Sequence, residues 1–344
     1  MDKLRTTNIL LLVIVVPLVF YLLKILSFIF IPLVFSMFIA LLFLPIMRWL
    51  TKKNIPKFIS IAIIILLIAA GVKIGVELIK LSSYEILNSD SNFFLKAEQK
   101  IDNLWFAAQE TFGFQIGDKE NVLTQLVAND NLGETLNFVQ KTLTMILMTI
   151  FFVVLWLAES INIQKVLNST IFKQRITSVK TFLKIEKDLI KFIKVKFLVS
   201  LATGIGTGLA CLFFDVSFPI FWGLFAFIIN FVQMVGSIIT VVLLSLFAFI
   251  EFDPTSTLAF FIISITGVQV LFGSILEPIF MGKSFSLNVI TVLVMLMLWG
   301  FLWGVPGLIM AIPITVFIKI ILDQFPETKV ISSIISGNNK KSIG

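Results

Sequence analysis

Residues 218–250 read FPIFWGLFAFIINFVQMVGSIITVVLLSLFAFI, and residues 287–322 read LNVITVLVMLMLWGFLWGVPGLIMAIPITVFIKIIL. Each stretch carries almost no charge. As one straight helix the shorter would be about 50 Å long, against a bilayer core of about 30 Å. Each is too long for one upright span and barely long enough for two. Each also holds helix breakers near its middle: Asn230, Gln233, Gly236 and Ser237 in the first, Gly300, Gly304, Pro306 and Gly307 in the second. This combination predicts two broken or re-entrant helices. Open peptide groups survive in lipid only where protein or a wet cavity shelters them, and paired interrupted segments point to a transport site. The competing reading is a pair of long, tilted, kinked helices packed through glycine.

Six further apolar runs flank these two: Ile9–Leu23, Ile25–Met47, Phe58–Val76, Thr142–Ala158, Phe197–Phe214 and Leu258–Leu276. None shows the period-two alternation of a barrel strand. The expected fold is therefore all-α: a polytopic integral membrane protein with about eight hydrophobic helical segments. Composition agrees. Of 344 residues, 58% are hydrophobic and 14% charged, and mean hydropathy is +1.05. A soluble chain could not cover that much apolar surface. Lys3 and Arg5 before the first run imitate a secretory signal, but no small-residue cleavage site follows, so the run reads as a retained helix.

Charge sets the expected orientation. Arg48, Lys52, Lys53 and Lys57 lie between the second and third runs, and nine Lys and Arg from Lys165 to Lys196 lie between the fourth and fifth. Both segments are expected in the cytoplasm, along with both termini. Residues 77–139 carry ten acids against four lysines and are expected outside. On this reading residues 1–76 hold three transmembrane helices, 77–139 an extracytoplasmic helical segment, and 140–161 a fourth span. Residues 162–196 form a basic amphipathic helix on the cytoplasmic face, 197–322 a core with the broken segments, and 323–344 a tail. The net charge of +7 is thus accounted for by the bilayer, with no need for nucleic acid.

Several classes of chemistry are excluded. The chain has no histidine and one cysteine, Cys211, which removes histidine triads, most zinc sites and intrachain disulfides. Gly282-Lys283-Ser284 imitates a phosphate-binding loop, but such a loop needs a glycine at 277, where Glu277 stands. No cofactor, metal site or enzymatic constellation is expected. The candidates for a transport pathway or ion coupling are polar groups in or beside apolar runs. Glu277, before Pro278, is the first, because an intramembrane carboxylate costs about 2.5–3.5 kcal/mol and usually serves an ion or proton. Alternatively it caps the seventh run at the interface, since proline disfavours helix at the preceding residue. Asn230, Gln233 and Gln269 either line a polar path or bond between helices. Glu251 and Asp253 either take cations at a pore mouth or sit in water.

The C-terminal region resembles a known family. Pro278, Gly282, Lys283, Leu287, Trp299, Gly300, Gly304, Gly307, Ala311 and Pro313 are similar, in order and spacing, to the pattern of the autoinducer-2 exporter (AI-2E) family, also described as PerM-like permeases. The layout of the whole chain resembles it too. The family's Pro-Tyr-x-Gly-Pro element reads Gln233-Met234-Val235-Gly236-Ser237 here, and Val289 stands where proline is common. The resemblance implies a permease or exporter of a small polar solute or signal molecule in the cytoplasmic (inner) membrane. Flux would be passive or ion-coupled without ATP, in a homo-oligomer. Gly236, Pro278, Gly282, Gly304, Pro306, Gly307 and Pro313 are the expected structural breaks. A cation/proton antiporter is the alternative within transport; a scaffold binding partners through residues 77–139 is the alternative outside it.

Overall fold

The computed structural model describes residues 2–87, 99–100, 141, 144–159, 176–232, 235–252, 256–282, 285, 287–325 and 328–337. Every regular element among them is helical. In chain order these are α1 (Asp2–Ile25), α2 (Ser27–Lys52), α3 (Lys57–Leu87), α4 (Thr144–Glu159), α5 (Ile176–Phe213), α6 (Pro219–Ile229), α7 (Val235–Glu251), α8 (Ser256–Met281), α9 (Val289–Trp303), α10 (Val305–Leu322) and α11 (Lys329–Ser336). Five described segments are long and apolar enough to cross a membrane: α2, α10, most of α3, the greater part of α5, and α8. Most of residues 77–139, residues 162–175, Gln233, Asp253, Lys283 and Ser284 lie outside the described residues.

Both long runs are broken. In the first, α6 and α7 fold back on each other as hairpin A. Trp222 and Phe218 pack at tilted angles on Phe247, at 5.1 and 5.7 Å between ring centres. At the base, the Glu251 carboxylate accepts from the Ser217 backbone N–H at 3.0 Å and from its hydroxyl. At the tip, a Cβ on Gly236 would lie 2.1 Å from the Ile229 carbonyl oxygen, so only glycine closes this turn. In the second, α9 and α10 form hairpin B, which turns at Gly304 (φ 64°, ψ −140°), in a region closed to side chains. A Cβ on Gly307 would meet the Trp299 carbonyl oxygen at 1.9 Å. Pro306 sits in the first turn of α10, where its missing N–H costs nothing. The helix then passes through Pro313 without a break.

The hairpins enter from opposite ends. The feet of hairpin B lie at the basic end of the bundle. The Asn288 N–H donates to the Ile335 carbonyl at 2.9 Å, and Ser332 of α11 bonds Asp323. Nearby, Phe285 packs on Phe192 of α5 and Arg48 of α2 pairs with Glu186. The tip reaches the last turn of α1, beside the start of α2, where the Trp303 indole donates to the Leu23 carbonyl at 2.9 Å. The feet of hairpin A adjoin the other terminus of α5. Its tip points back toward the middle of the bundle, where Val232 joins the core formed by α2, α5, α9 and α10.

Three boundaries differ from the expectation. The basic stretch and the fifth run are one helix, α5, of 38 residues, because no glycine or proline stands between them. Leu26 alone separates α1 from α2 (φ −89°, ψ 22°), and Leu26 N–H and C=O both keep helical partners. The first two runs are therefore segments of one bent rod, with no reversal between them. Glu277 does not end the seventh run. It is helical (φ −57°, ψ −53°), and α8 continues to Met281.

Candidate functional site

Proline inside a helix removes one backbone donor and crowds the preceding turn. In α8 the chain absorbs Pro278 by loosening Val270–Leu276 into π-type turns, in which the Glu277 N–H reaches back five residues to the Phe272 carbonyl. The Ser274 carbonyl, four residues before Pro278, gets no bond from it. Such turns recur at functional sites because they free carbonyls and rotate the helix beyond them. Here the rotation carries Glu277 into the protein.

Opposite, α5 presents Lys196, Ser200, Thr203 and Thr207, spaced four, three and four residues apart and so on one face. All four are buried. The Lys196 ammonium donates to both Glu277 carboxylate oxygens at 3.0 Å, and both side chains are only 2% exposed. One turn along, Asn230 at the tip of hairpin A donates from Nδ2 to Ser200 Oγ at 3.0 Å. Thr203 donates to the Val199 carbonyl of its own helix at 2.9 Å. The α8 face opposite is Gln269, Gly273 and Glu277, again at four-residue spacing. Gly273 admits the tip of hairpin A: a Cβ there would lie 3.3 Å from Ser237 Oγ and 3.9 Å from Asn230 Oδ1. These groups form a polar seam enclosed by α5, α8 and the first broken segment.

The seam is not saturated. Gln269 is 3% exposed, and neither its amide nitrogen nor its amide oxygen has a partner among the described residues. The Thr207 hydroxyl is likewise unpartnered among them. A buried donor or acceptor left unmade costs about 1–3 kcal/mol, so such groups in a native fold ask for a ligand or an alternative conformation. The charged pair is finely balanced too. The cost of burying two charges is offset only by close, well-formed contact.

Among the predicted residues the structure brings Glu277, Asn230 and Gln269 together, with Gly236 and Pro278 shaping the backbone around them. Glu251 lies elsewhere, clasping the foot of hairpin A, where Lys100 also caps the Phe249 carbonyl at 2.9 Å. Gly282 (φ 81°) ends α8. Gly304, Pro306 and Gly307 belong to the tip of hairpin B, remote from the seam. Lys196 escapes sequence reasoning, which counts it with the basic linker. The signal that could have found it is its position four residues before Ser200, in line with Thr203 and Thr207.

Comparison with known proteins agrees with this architecture. The model of the AI-2E family transporter matches residues 9–327. A protein of Haemophilus influenzae, provisionally named a transport protein, is 26% identical over 310 residues, covering 87% of each chain. The AI-2 transport protein TqsA of Escherichia coli K12 is 23% identical over 331 residues, covering 90% of each. A protein of Borreliella burgdorferi, also provisionally named for transport, is 30% identical over 195 residues, and that match spans 54% of its length and 56% of this chain. A family match over nearly the whole sequence, on a chain of membrane-length helices with two interrupted segments, makes this a multi-pass membrane permease that belongs to the AI-2E transporter family.

Proposed function

We propose that the chain passes a small polar solute or signal molecule along the seam between α5, α8 and the tip of hairpin A. The observation that carries this reading is Gln269, a buried amide with both ends unpaired among the described residues, on the face of α8 that also bears Glu277. A solute that both donates and accepts hydrogen bonds would recover the lost interactions on entry. Lys196 and Glu277 offset each other's charge, which suits a neutral cargo or one exchanged against a coupled ion. With no histidine in the chain, Glu277 is the group suited to carry a coupled proton. Flux then runs down the cargo's gradient or with an ion, without nucleotide hydrolysis, catalysis or a cofactor. AI-2, which names the Escherichia coli relative, is the first cargo to try.

The basic end, with Lys52, Lys53, Lys184 and Lys187 exposed, faces the cytoplasm on the positive-inside rule. The membrane is then the cytoplasmic (inner) membrane, and the working unit is a homo-oligomer. Gln269→Leu in proteoliposomes tests the pathway. Leucine removes the unpaired amide, so a purely structural Gln269 would give equal flux and equal or greater stability. The pathway reading expects flux to fall at least about tenfold, the effect of losing roughly 1.4 kcal/mol at the limiting step. Undiminished flux in a folded Gln269→Leu protein refutes it.

A further inference from the structure

At the basic end α2, α4, α5 and α10 stand apart around a slot of about 370 Å³. Its walls are apolar, formed by Met37, Leu41, Leu44, Trp156, Leu189 and Phe317 among others. The polar groups on it are Arg48 and Glu186, which pair with each other. The slot is not sealed: Trp156 is 39% exposed and Arg48 is 31% exposed. The same end of the bundle carries exposed lysines: Lys52 in the last turn of α2, Lys53 just after it with its ammonium 4.1 Å over the Trp49 ring, and Lys184, Lys187 and Lys191 on α5. The acids on this end, among the described residues, are Glu159, Glu186, Asp188 and Asp323, fewer than the basic residues there, so positive charge prevails. Phe325 lines the slot and leads into α11, which turns Val330, Ile331 and Ile334 outward while Ser332 and Ile335 face in.

We propose that this slot holds an acyl chain of an anionic phospholipid, with the phosphate seated on Arg48, Lys52 and Lys53. Three independent features fit that occupant. The dry wall has the size and character of a small-molecule pocket, and water gains nothing there. Arg48 on the slot and the exposed lysines of the same end supply charge complementarity to a phosphodiester, each basic side chain contributing on the scale of surface lysines near anionic lipid. Glu186 accepts from Nη2 of Arg48, which leaves other donors of the guanidinium fork for a phosphate oxygen. The outward apolar face of α11 is suited to the same headgroup plane. Phe317 and Ile321 belong to α10, so a bound chain would brace one arm of hairpin B.

The test uses the full-length protein in detergent, titrated with phosphatidylglycerol and phosphatidylcholine of identical long chains and read by native mass spectrometry and thermal unfolding. Phosphatidylglycerol is expected to bind about tenfold or more tightly than phosphatidylcholine and to raise the unfolding midpoint. The combined variant Arg48→Gln, Lys52→Gln, Lys53→Gln should lose the preference but keep binding both lipids weakly. Leu41→Trp, which fills the slot, should lose both. Dihexanoyl phosphatidylglycerol should bind poorly even to the unaltered protein, because the chain is half of the contact. Brominated chains should quench tryptophan in the unaltered protein and much less in Trp156→Phe, a readout that does not depend on Leu41→Trp folding. Equal affinity for the two headgroups, full-strength binding of the dihexanoyl lipid, equal quenching with and without Trp156, or a co-purified polypeptide in the slot would each overturn the proposal.

Discussion

The Lys196–Glu277 pair makes the sharpest demand on experiment. Its members are 81 residues apart in sequence and meet at 3.0 Å with almost no exposure. Replacing Lys196 by methionine keeps most of the side-chain volume but leaves a carboxylate buried without its cation. Removing one partner of a buried pair typically costs about 3–5 kcal/mol. Glu277→Leu alone strands the ammonium and should cost a similar amount. The double variant Lys196→Met, Glu277→Leu removes both charges and fills the space with apolar atoms. Such replacements are often neutral or stabilising by about 1–4 kcal/mol. A double-mutant cycle with a neutral double variant should therefore give a coupling of about 6–10 kcal/mol, well above the usual range of about 0.5–3 kcal/mol. The assay is equilibrium unfolding in mixed micelles, followed by tryptophan fluorescence, with flux in proteoliposomes measured on each folded variant. The double variant should be as stable as the parent and deficient in flux. Single variants costing under about 1 kcal/mol, with additive effects, would mean that water or lipid headgroups already screen the pair. The buried-seam account would then fail.

Other parts of the fold set further expected outcomes. Gly236→Val and Gly307→Val place side-chain atoms within 2.1 and 1.9 Å of a carbonyl oxygen; each should open its hairpin and cost several kcal/mol, about the 4–5 that marks exceptional single substitutions, read as lost monodisperse protein in gel filtration. Glu251→Gln weakens the clasp on Ser217, a charge-assisted bond worth about 1.5–3 kcal/mol; thermal unfolding should show that loss, and because Glu251 is remote from the seam, flux per folded protein should stay within about twofold, a shift of under half a kcal/mol in the barrier. Pro278→Ala returns a backbone donor and lets the π turns relax toward α-helix. Removing one residue's worth of rotation would swing Glu277 by about 100° relative to Gln269 and away from Lys196, so flux should collapse and the unfolding midpoint should fall with the loss of the buried pair. A Pro278→Ala protein with full flux would show that the turn does not set the site.

The break positions are legible in the sequence because glycine and proline act on the backbone at their own position. Gly236 and Gly304 are required by local geometry, and the flanking runs announce their lengths. The bundle end that gathers positive charge is legible too, through Arg48, Lys52 and Lys53. The course of α5 through residue 196 is not, because charge density does not mark a helix boundary: lysine loses little by remaining helical and can be buried when a carboxylate waits for it. Glu277 is expected to end its helix, yet the chain keeps the helix and loosens it into π turns, a choice that depends on the elements packed against α8. Gly304, Pro306 and Gly307 join the pathway only on the strength of the break; in the fold they form a tip that docks beside α1.

The linear order of residues was enough to establish a helical membrane protein and to mark the two places where it could be interrupted, since hydrocarbon admits only backbones that bond themselves and glycine or proline interrupts that bonding where it stands. Folding alone decided which interruption meets the polar face, which lysine answers Glu277, and that the two hairpins enter from opposite ends. Those outcomes rest on contacts between groups tens of residues apart, and their free energy comes from close approach and exclusion of water, neither of which any single stretch of chain encodes.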